Sequence, residues 1–302
     1  MPTATAVKIK KLCDDWCAAS TAPDGSLVVG PHTEKLRLFR NGINFAALNH
    51  DELCTALIGL SKVLLRQGLN SVESLDHGLL WSWCGELSLG RQATLFIPSQ
   101  NEIRSLYETT IHAALANCPK PNTTTKEWEE QRRIQGLQHH HTQQLLVERS
   151  RILAYLSFPL LEALLKRACA AYVEFDGKVI TAFSGKSRNY ALNSKCSSLR
   201  DLLILHHDVI ANQQLKNYID EFSAHLRWLD ATQDPFDLLY SWRNQSLHGS
   251  ASLLTIGGTV LSLSLLITLF EIENGFDQYR LSVEREAQRF PFKTTLSFYP
   301  PY

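Results

Sequence analysis

Apolar residues recur every three to four positions along most of the chain, the spacing that gives an amphipathic helix one buried face. In the segment 50–68 this spacing is carried by Leu53, Leu57, Leu60, Leu64 and Leu65. The segment 152–173 has the same period, but Pro159 interrupts it, and proline is best tolerated in the first turn of a helix. We therefore predict an all-α protein in which Pro159 either kinks a helix or, most simply, starts a fresh one.

The pattern divides the chain into two helical parts. Residues 1–120 form a mostly helical region of unknown role, and residues 121–142 form a linker or connecting helix next to a stretch rich in proline and threonine. Residues 143–290 are predicted to fold as a helical bundle. Within it, residues 176–198 break the helical period with glycines, serines and a short β-like run, which indicates an insertion. The tail 291–302, rich in proline and aromatic residues, is expected to lie on the surface.

One segment of the bundle, residues 249–270, has no charged residue and is long enough to span a bilayer. It nevertheless contains many serines and threonines and the pair Gly257–Gly258, and it is followed by Glu271 and Glu273 rather than by basic residues. A helix buried on all sides in a bundle or a dimer interface has the same composition. We predict such a buried helix; the alternative is a membrane-associated interaction protein that uses this segment.

Composition and missing motifs exclude several classes of function. Lysine plus arginine and aspartate plus glutamate both number 30, so no overall positive field would recruit a nucleic acid, and any polyanion site must be a local patch. The seven cysteines include no CxxC pair, which argues against a disulfide framework or a zinc module. Motifs for phosphate loops, dinucleotides, zinc proteases and serine hydrolases do not occur, so we expect neither a cofactor nor a metal.

Two further features bear on location and metal binding. The first residues contain no apolar run of signal-peptide type, so a reducing cytoplasm is the predicted location. The consecutive histidines at positions 139–141 would point in different directions from a helix and could not converge on one ion.

The candidate chemistry lies in the stretch 241–250, SWRNQSLHGS. Before it, Asp234 and Pro235 have the residue types of a helix N-cap and first turn. Gly249 suits the position just after a helix end, so His248 falls in the last turn of the predicted helix. The stretch is therefore first of all a helix ending.

Arg243, Asn244 and His248 are also the residue types that RNA transesterification needs. A histidine can exchange a proton with the ribose 2′-hydroxyl or the departing 5′-oxygen, and an arginine neutralises charge on the phosphate in the transition state. Asn244 would orient the histidine or hold a phosphate oxygen. However, Arg243 lies roughly 140° from His248 around an ideal helix. They can act together only if the last turn unwinds or two chains pool their residues; otherwise Arg243 is a surface ion-pair partner and His248 a helix cap.

The motif R–polar–x–x–x–H followed by glycine resembles the signature of the HEPN superfamily (higher eukaryotes and prokaryotes nucleotide-binding). The helix that contains Glu162 is similar to an early helix of that family, with an apolar face and an acidic residue, so the resemblance covers roughly residues 145–275. It implies an all-α bundle and, for many members, a metal-independent endoribonuclease of toxin, antiphage or RNA-processing systems. In the family, the arginine and histidine form a composite cleft across a homodimer.

The resemblance thus implies RNA as substrate, a homodimer, and an antitoxin or regulatory protein as a further partner. Arg243, Asn244 and His248 would be catalytic and Glu162 a supporting contact, and the products would carry 2′,3′-cyclic phosphate and 5′-hydroxyl ends. The alternative is a non-catalytic HEPN-like module that binds nucleotide, RNA or a protein.

The insertion 176–198 interleaves cations with aromatic residues, a composition that can contact single-stranded RNA by charge and stacking. The predicted RNA-binding residues are Lys178, Lys186, Arg188, Lys195 and Tyr190. A solvated surface loop would have the same composition, so both interpretations remain open at this point.

Overall fold

The computed structural model describes residues 2–21, 23, 31–67, 75–90, 93–116, 149–185, 188–248 and 256–289, with a few single positions between 126 and 133. Within these residues the protein is all-α apart from one short β-hairpin. The helices in chain order are α1 (Ala4–Ala19), α2 (His50–Gln67), α3 (Leu75–Leu89), α4 (Asn101–Leu115), α5 (Arg149–Ala168), α6 (Leu199–Leu205), α7 (Gln213–Arg227), α8 (Pro235–Leu247), α9 (Ile256–Glu271) and α10 (Phe276–Arg289).

Shorter elements complete the described chain. A single helical turn (Pro31–Glu34) and two 3-10 turns (Phe39–Asn41 and Phe45–Ala47) lie between α1 and α2, and a third 3-10 turn (Pro98–Gln100) precedes α4. The hairpin strands β1 (Phe183–Ser184) and β2 (Asn189–Tyr190) lie in the predicted insertion. A π-helical turn (His206–Ile210) extends α6.

Helix α9 forms the centre of the molecule. Every residue from Ile256 to Leu269 is buried, and the helix packs most extensively against α5 and then against α2 and α3. The uncharged segment is therefore a buried helix from Ile256 onwards, and residues 249–255 lie outside the described residues. In the described part of the chain, no single helix is long and apolar enough to cross a membrane. Within the described residues, the pair formed by α9 and α10 (as far as Glu286) is together long and apolar enough, but the chain bends by 113° between these two helices.

Helices α5 and α9 touch backbone to backbone at Gly257. A Cβ atom at this position would lie 2.6 Å from the backbone nitrogen of Ala154 and 2.9 Å from the carbonyl carbon of Leu153, so only glycine permits this spacing. The hydroxyl of Ser157 donates a hydrogen bond to the Gly257 carbonyl oxygen at 3.0 Å. The glycine thus fixes how closely the two central helices pack.

The N-terminal helices share one hydrophobic core with the C-terminal bundle. Helix α1 packs on α2, α2 packs on α9, and α4 packs on α5. The buried apolar side chains form one cluster that runs from Ile9 in α1 to Val283 in α10. Within the described residues, the region predicted at 1–120 is thus packed directly against the bundle. Most of the predicted linker and the whole tail lie outside the described residues.

Helix α5 continues through Pro159 without a break, so the expectation of a fresh helix at that position is wrong. The proline removes one backbone hydrogen bond, and its own side chain lies at an exposed position. The neighbouring Phe158, Leu160 and Leu161 are all buried in the core. Burial of these apolar side chains on both sides of the proline outweighs the missing bond.

Candidate active site

Helix α8 begins and ends where its sequence indicates. The Asp234 side chain accepts a hydrogen bond from the backbone N–H of Phe236 at 2.9 Å, which caps the first turn. At the other end, the backbone N–H of His248 donates to the Asn244 carbonyl oxygen at 3.1 Å. His248 itself has left the helical conformation, with φ −93° and ψ 4°. It therefore occupies the C-cap, and the following Gly249 lies outside the described residues.

Arg243 forms an ion pair with Glu162 of α5. Its Nε donates to Glu162 Oε1 at 2.9 Å, and its Nη1 donates to Asn244 Oδ1 at 3.2 Å. The side chains of Arg243 and Glu162 are 34% and 19% exposed, so the carboxylate is the more enclosed partner. These two bonds leave other N–H donors of the guanidinium available, and they hold its plane against α5 at the surface.

Within one chain, the side chains of His248 and Arg243 do not face each other. It lies on an exposed position at the end of α8, and no hydrogen bond joins its ring to any residue that the structure describes. The helical spacing of the two residues separates their side chains by roughly 140° around the axis. The structure therefore joins Arg243, Asn244 and Glu162 in one cluster and leaves His248 beside that cluster.

Exposed apolar side chains surround the cluster. On α5, Tyr155 precedes Glu162 by two helical turns and so lies on the same face; on α8, Tyr240 and Leu247 stand three and four positions from Arg243. All three apolar side chains are exposed. We call the surface made by Tyr155, Glu162, Tyr240, Arg243 and Leu247 the Arg243 face.

The cations of the insertion mostly have partners close by. Lys195 Nζ lies 3.1 Å from Asp176 Oδ2, and Arg188 Nη2 donates to the Lys195 carbonyl oxygen at 2.7 Å and lies 3.8 Å from Asp201 Oδ2. The backbone of Lys178 is bridged to Lys195, which places these two cations side by side. Lys178 and Lys195 are thus neighbours, and Lys195 and Arg188 each lie near a carboxylate.

Tyr190 is placed differently from its prediction. Its side chain is only 2% exposed, and its ring stacks on Phe183 with the ring centres 4.5 Å apart. The hairpin pairing of Phe183 with Tyr190 causes this burial, because it sets both rings on one side of the strands. The ring is therefore not available to stack on a base, and this part of the prediction is wrong. Lys186 lies outside the described residues.

In the described part of the chain, no group of three or more histidine, cysteine, aspartate and glutamate side chains could hold a metal ion. The histidines at 139–141 lie outside that part. His207 is held between two carboxylates, with its Nδ1 2.7 Å from Asp208 Oδ1 and its Nε2 3.1 Å from Asp220 Oδ1. Both ring nitrogens are thereby engaged by the protein itself.

One further site was not indicated by any sequence motif. A pocket of about 490 Å³ lies between α5, α7, α9 and the π-helical turn, with the 3-10 turn Pro98–Gln100 at its edge. Its polar lining residues are Gln100, Arg167, His206, Asn212 and Glu271. Arg167 and Glu271 are 104 positions apart in the chain, so nothing in their local sequence announces that they meet.

Comparisons with known proteins do not identify the chain. No protein family matches it, and neither a curated protein nor a solved structure is detectably similar to it.

Proposed function

We propose that the protein is a metal-independent endoribonuclease of the HEPN type, acting as a homodimer on RNA in a defence, toxin or RNA-processing role. The observation that carries this function is the cluster on the Arg243 face. Glu162 and Asn244 hold the Arg243 guanidinium at the surface with N–H donors to spare, next to the exposed end of α8 where His248 lies. A guanidinium held in this way suits a phosphate, since its remaining donors can bind two oxygens at once.

In the proposed reaction the ribose 2′-oxygen attacks the phosphorus, and the bond from phosphorus to the 5′-oxygen breaks. The proton of the 2′-hydroxyl leaves to a base, and a proton is delivered to the departing 5′-oxygen; His248 performs one of these two transfers. Arg243 stabilises the charge on the phosphate oxygens, Asn244 binds or orients, and Glu162 positions the guanidinium. The ends formed are a 2′,3′-cyclic phosphate and a 5′-hydroxyl.

In the proposed homodimer, Arg243 and His248 of different copies come together, which they do not do within one chain. Because His248 and Arg243 diverge on α8, we infer that each cleft combines Arg243 of one copy with His248 of the other. The exposed Tyr155, Tyr240 and Leu247 at the border of the Arg243 face give such a contact its apolar area. An antitoxin or regulatory protein that covered the same face would silence the enzyme.

The test is cleavage of a mixed RNA substrate in EDTA, with the new ends mapped. Wild type should cut and leave 2′,3′-cyclic phosphates, whereas His248→Ala and Arg243→Ala should each cut at least about 100-fold more slowly. Gln245→Ala, on the same helical turn, is the matched control and should cut like the wild type. Thermal melting of each variant verifies that it is folded. Intact RNA with the wild type, or equal cleavage by all four proteins, would refute the assignment.

Mixing the two inactive variants tests the shared cleft. After random exchange of subunits, half of the dimers are mixed and hold one complete cleft of two, so about a quarter of wild-type activity should return. Each variant alone stays inactive. If the mixture also stays inactive while wild type is dimeric, the cleft is not built in this way.

One observation favours a second candidate function. Since His248 is exposed and separate from the Arg243 cluster in the single chain, the same face could bind RNA or a protein without cleaving anything. Binding of labelled RNA that is weakened by Arg243→Ala but not by His248→Ala, with no cleavage, would support this non-catalytic module.

A further inference from the structure

The pocket between α5, α7 and α9 is a separate site, away from the Arg243 face. Arg167 lines it and stands five positions after Glu162 on α5, so the two side chains point roughly 140° apart around that helix. The pocket's volume of about 490 Å³ lies within the range of sites that enclose small organic molecules. Its larger apolar lining residues are Ile210, Leu215, Ile267 and Phe270.

The polar end of the pocket is built around an enclosed ion pair. Arg167 donates from Nη1 to Glu271, from Nε to Gln100 Oε1 at 3.1 Å, and from Nη2 to the Leu95 carbonyl oxygen at 2.6 Å. The side chains of Arg167 and Glu271 are only 16% and 24% exposed. The guanidinium is thereby fixed in place, and each terminal nitrogen still carries a second N–H. The pocket therefore presents a fixed donor beside a carboxylate acceptor.

His206 adds a polar atom that the protein leaves unsatisfied. Its side chain is 3% exposed, and its Nδ1 has no hydrogen-bond partner among the described residues, which is costly for a buried polar atom. Burial lowers the pKa of His206 to about 4, so its ring is neutral near pH 7 and can either donate or accept. The residue begins the π-helical turn, closed by a 2.7 Å bond from the Ala211 N–H to the His206 carbonyl oxygen. Turns of this type are frequent at binding sites.

The charges of the lining select the ligand. Arg167 and Glu271 are the only charged residues among those that line the pocket in the described chain, and they neutralise each other. Neither an anion nor a cation gains a net attraction from this neutral pair, whereas an uncharged molecule with a donor and an acceptor can bond to both partners. Such a ligand needs a hydrogen-bond acceptor facing the guanidinium and, next to it, a donor facing the carboxylate. The C=O and N–H groups along the edge of a cyclic amide have this arrangement. The apolar walls then suit a flat ring.

We propose that this pocket binds an uncharged planar heterocycle that has a carbonyl oxygen next to a ring N–H. The carbonyl oxygen accepts from Arg167, the N–H donates to Glu271, and the ring packs against Ile210 and Phe270. Because the pocket joins Gln100, from the N-terminal part, to helices of the bundle, its ligand contacts both parts of the molecule.

The test uses nucleosides as probes, because methylation removes the ring N–H and little else. The full-length protein is titrated by calorimetry with guanosine and uridine and with their counterparts methylated on the ring nitrogen, 1-methylguanosine and 3-methyluridine. At least one unmodified nucleoside should bind saturably below about 1 mM. Its methylated counterpart should bind at least about tenfold more weakly. Binding of neither nucleoside, or equal binding of the methylated forms, would overturn the proposal.

Two variants tie the binding to this pocket. Glu271→Gln should weaken binding about tenfold through loss of the charge-assisted bond, and Ile210→Trp should abolish binding by filling the pocket while leaving the Arg167–Glu271 pair in place. Glu221→Gln, a carboxylate of α7 that pairs with Lys10 outside the pocket, is the matched control and should bind like the wild type. Unchanged binding by Ile210→Trp would overturn the location. His248→Ala should bind normally, so failure of this proposal and of the nuclease are distinguishable.

Discussion

Among the described residues, helix α5 takes part in the ion pairs Arg243–Glu162 and Arg167–Glu271, and these differ in how many hydrogen bonds the protein makes to the arginine. Arg243 reaches Glu162 from α8 with a 34% exposed side chain and has one other partner among the described residues, Asn244. Arg167 reaches from α5 to Glu271 of α9, is 16% exposed, and is also bonded to residues before α4. Its guanidinium carbon lies 5.1 Å from the centre of the Phe96 ring as well.

The difference separates two uses of the same chemical pair. A guanidinium with donors left at an open surface can bind a large anion such as the RNA backbone, and it gains most from a partner that aims it. A guanidinium locked at the end of a pocket has lost that freedom, and its carboxylate partner is equally available to a ligand. This difference is why we propose RNA for the first site and an uncharged small molecule for the second.

The largest expected effect comes from the contact between α5 and α9, which supports the second pair but not the first. Gly257→Ala would push a Cβ atom to 2.6 Å from the Ala154 backbone nitrogen, and backbone cannot move aside as a side chain can. We expect the free energy of unfolding to fall by about 3 kcal/mol, measured by urea denaturation. Arg167 of α5 and Glu271 of α9 pair across the same two helices. The folded fraction of Gly257→Ala should therefore also bind nucleosides more weakly than the wild type.

Gly258→Ala is the matched control for that experiment. Its Cβ would meet the ends of side chains, Leu64 Cδ1 at 3.0 Å and Trp81 Cη2 at 3.1 Å, which can shift by a few tenths of an ångström. It should cost about 1 kcal/mol. A larger loss for Gly258→Ala than for Gly257→Ala would contradict the assigned role of the helix contact.

The pH dependence of stability tests whether His206 is enclosed in the pocket. Burial, with a smaller contribution from the adjacent His207, lowers the pKa of His206 to about 4. The unfolded chain takes up this proton first as the pH falls, so the stabilisation by neutral His206 is complete above about pH 6.5 and is lost towards pH 4. The loss amounts to about 3 kcal/mol for one histidine, measured as the urea midpoint from pH 7 to pH 4.

Other buried groups contribute to the same titration, so the experiment needs a difference. Burial also lowers the pKa of His77 to about 3 and of His225 to about 4, while it raises the pKa of Asp76 to about 6, which has the opposite effect on acid stability. His206→Leu should lose about 3 kcal/mol less than wild type over this range. The control is His112→Leu, at an exposed position of α4. An unchanged pH dependence in His206→Leu would show that His206 is not held neutral.

Local signals predicted those parts of the fold that local chemistry determines. Asp234 and Pro235 predicted the start of α8 because a cap is formed by neighbours in sequence, and the lack of charge predicted the burial of α9. The prediction of a new helix at Pro159 failed because the effect of proline on the backbone is local, whereas the packing that keeps the helix continuous is tertiary. The burial of Tyr190 was not predicted, because composition cannot show that its ring would be covered by Phe183 across a hairpin.

The two sites differ in the same way. The resemblance predicted Glu162 as a supporting contact of the candidate site, and its partner Arg243 lies 81 positions away in the chain. No sequence signal indicated the pocket, because a basic residue such as Arg167 is common in the last turn of any helix. Only the crossing of α5, α7 and α9 brings its polar residues together.

The smallest expected effect concerns how Glu162 aims Arg243. Glu162→Gln keeps an oxygen that can accept from Arg243 Nε but removes the charge, so the guanidinium should become less well positioned without being lost. We expect single-turnover RNA cleavage to slow about tenfold, much less than with Arg243→Ala, and RNA affinity to change little. Glu221→Gln, in the separate ion pair with Lys10, is the control and should cleave like the wild type. Nucleoside binding measured on the same Glu162→Gln sample should equal that of the wild type, because α5 presents Glu162 and Arg167 in different directions. If that variant lost nucleoside binding together with cleavage, the two ion pairs would have to be treated as one coupled site.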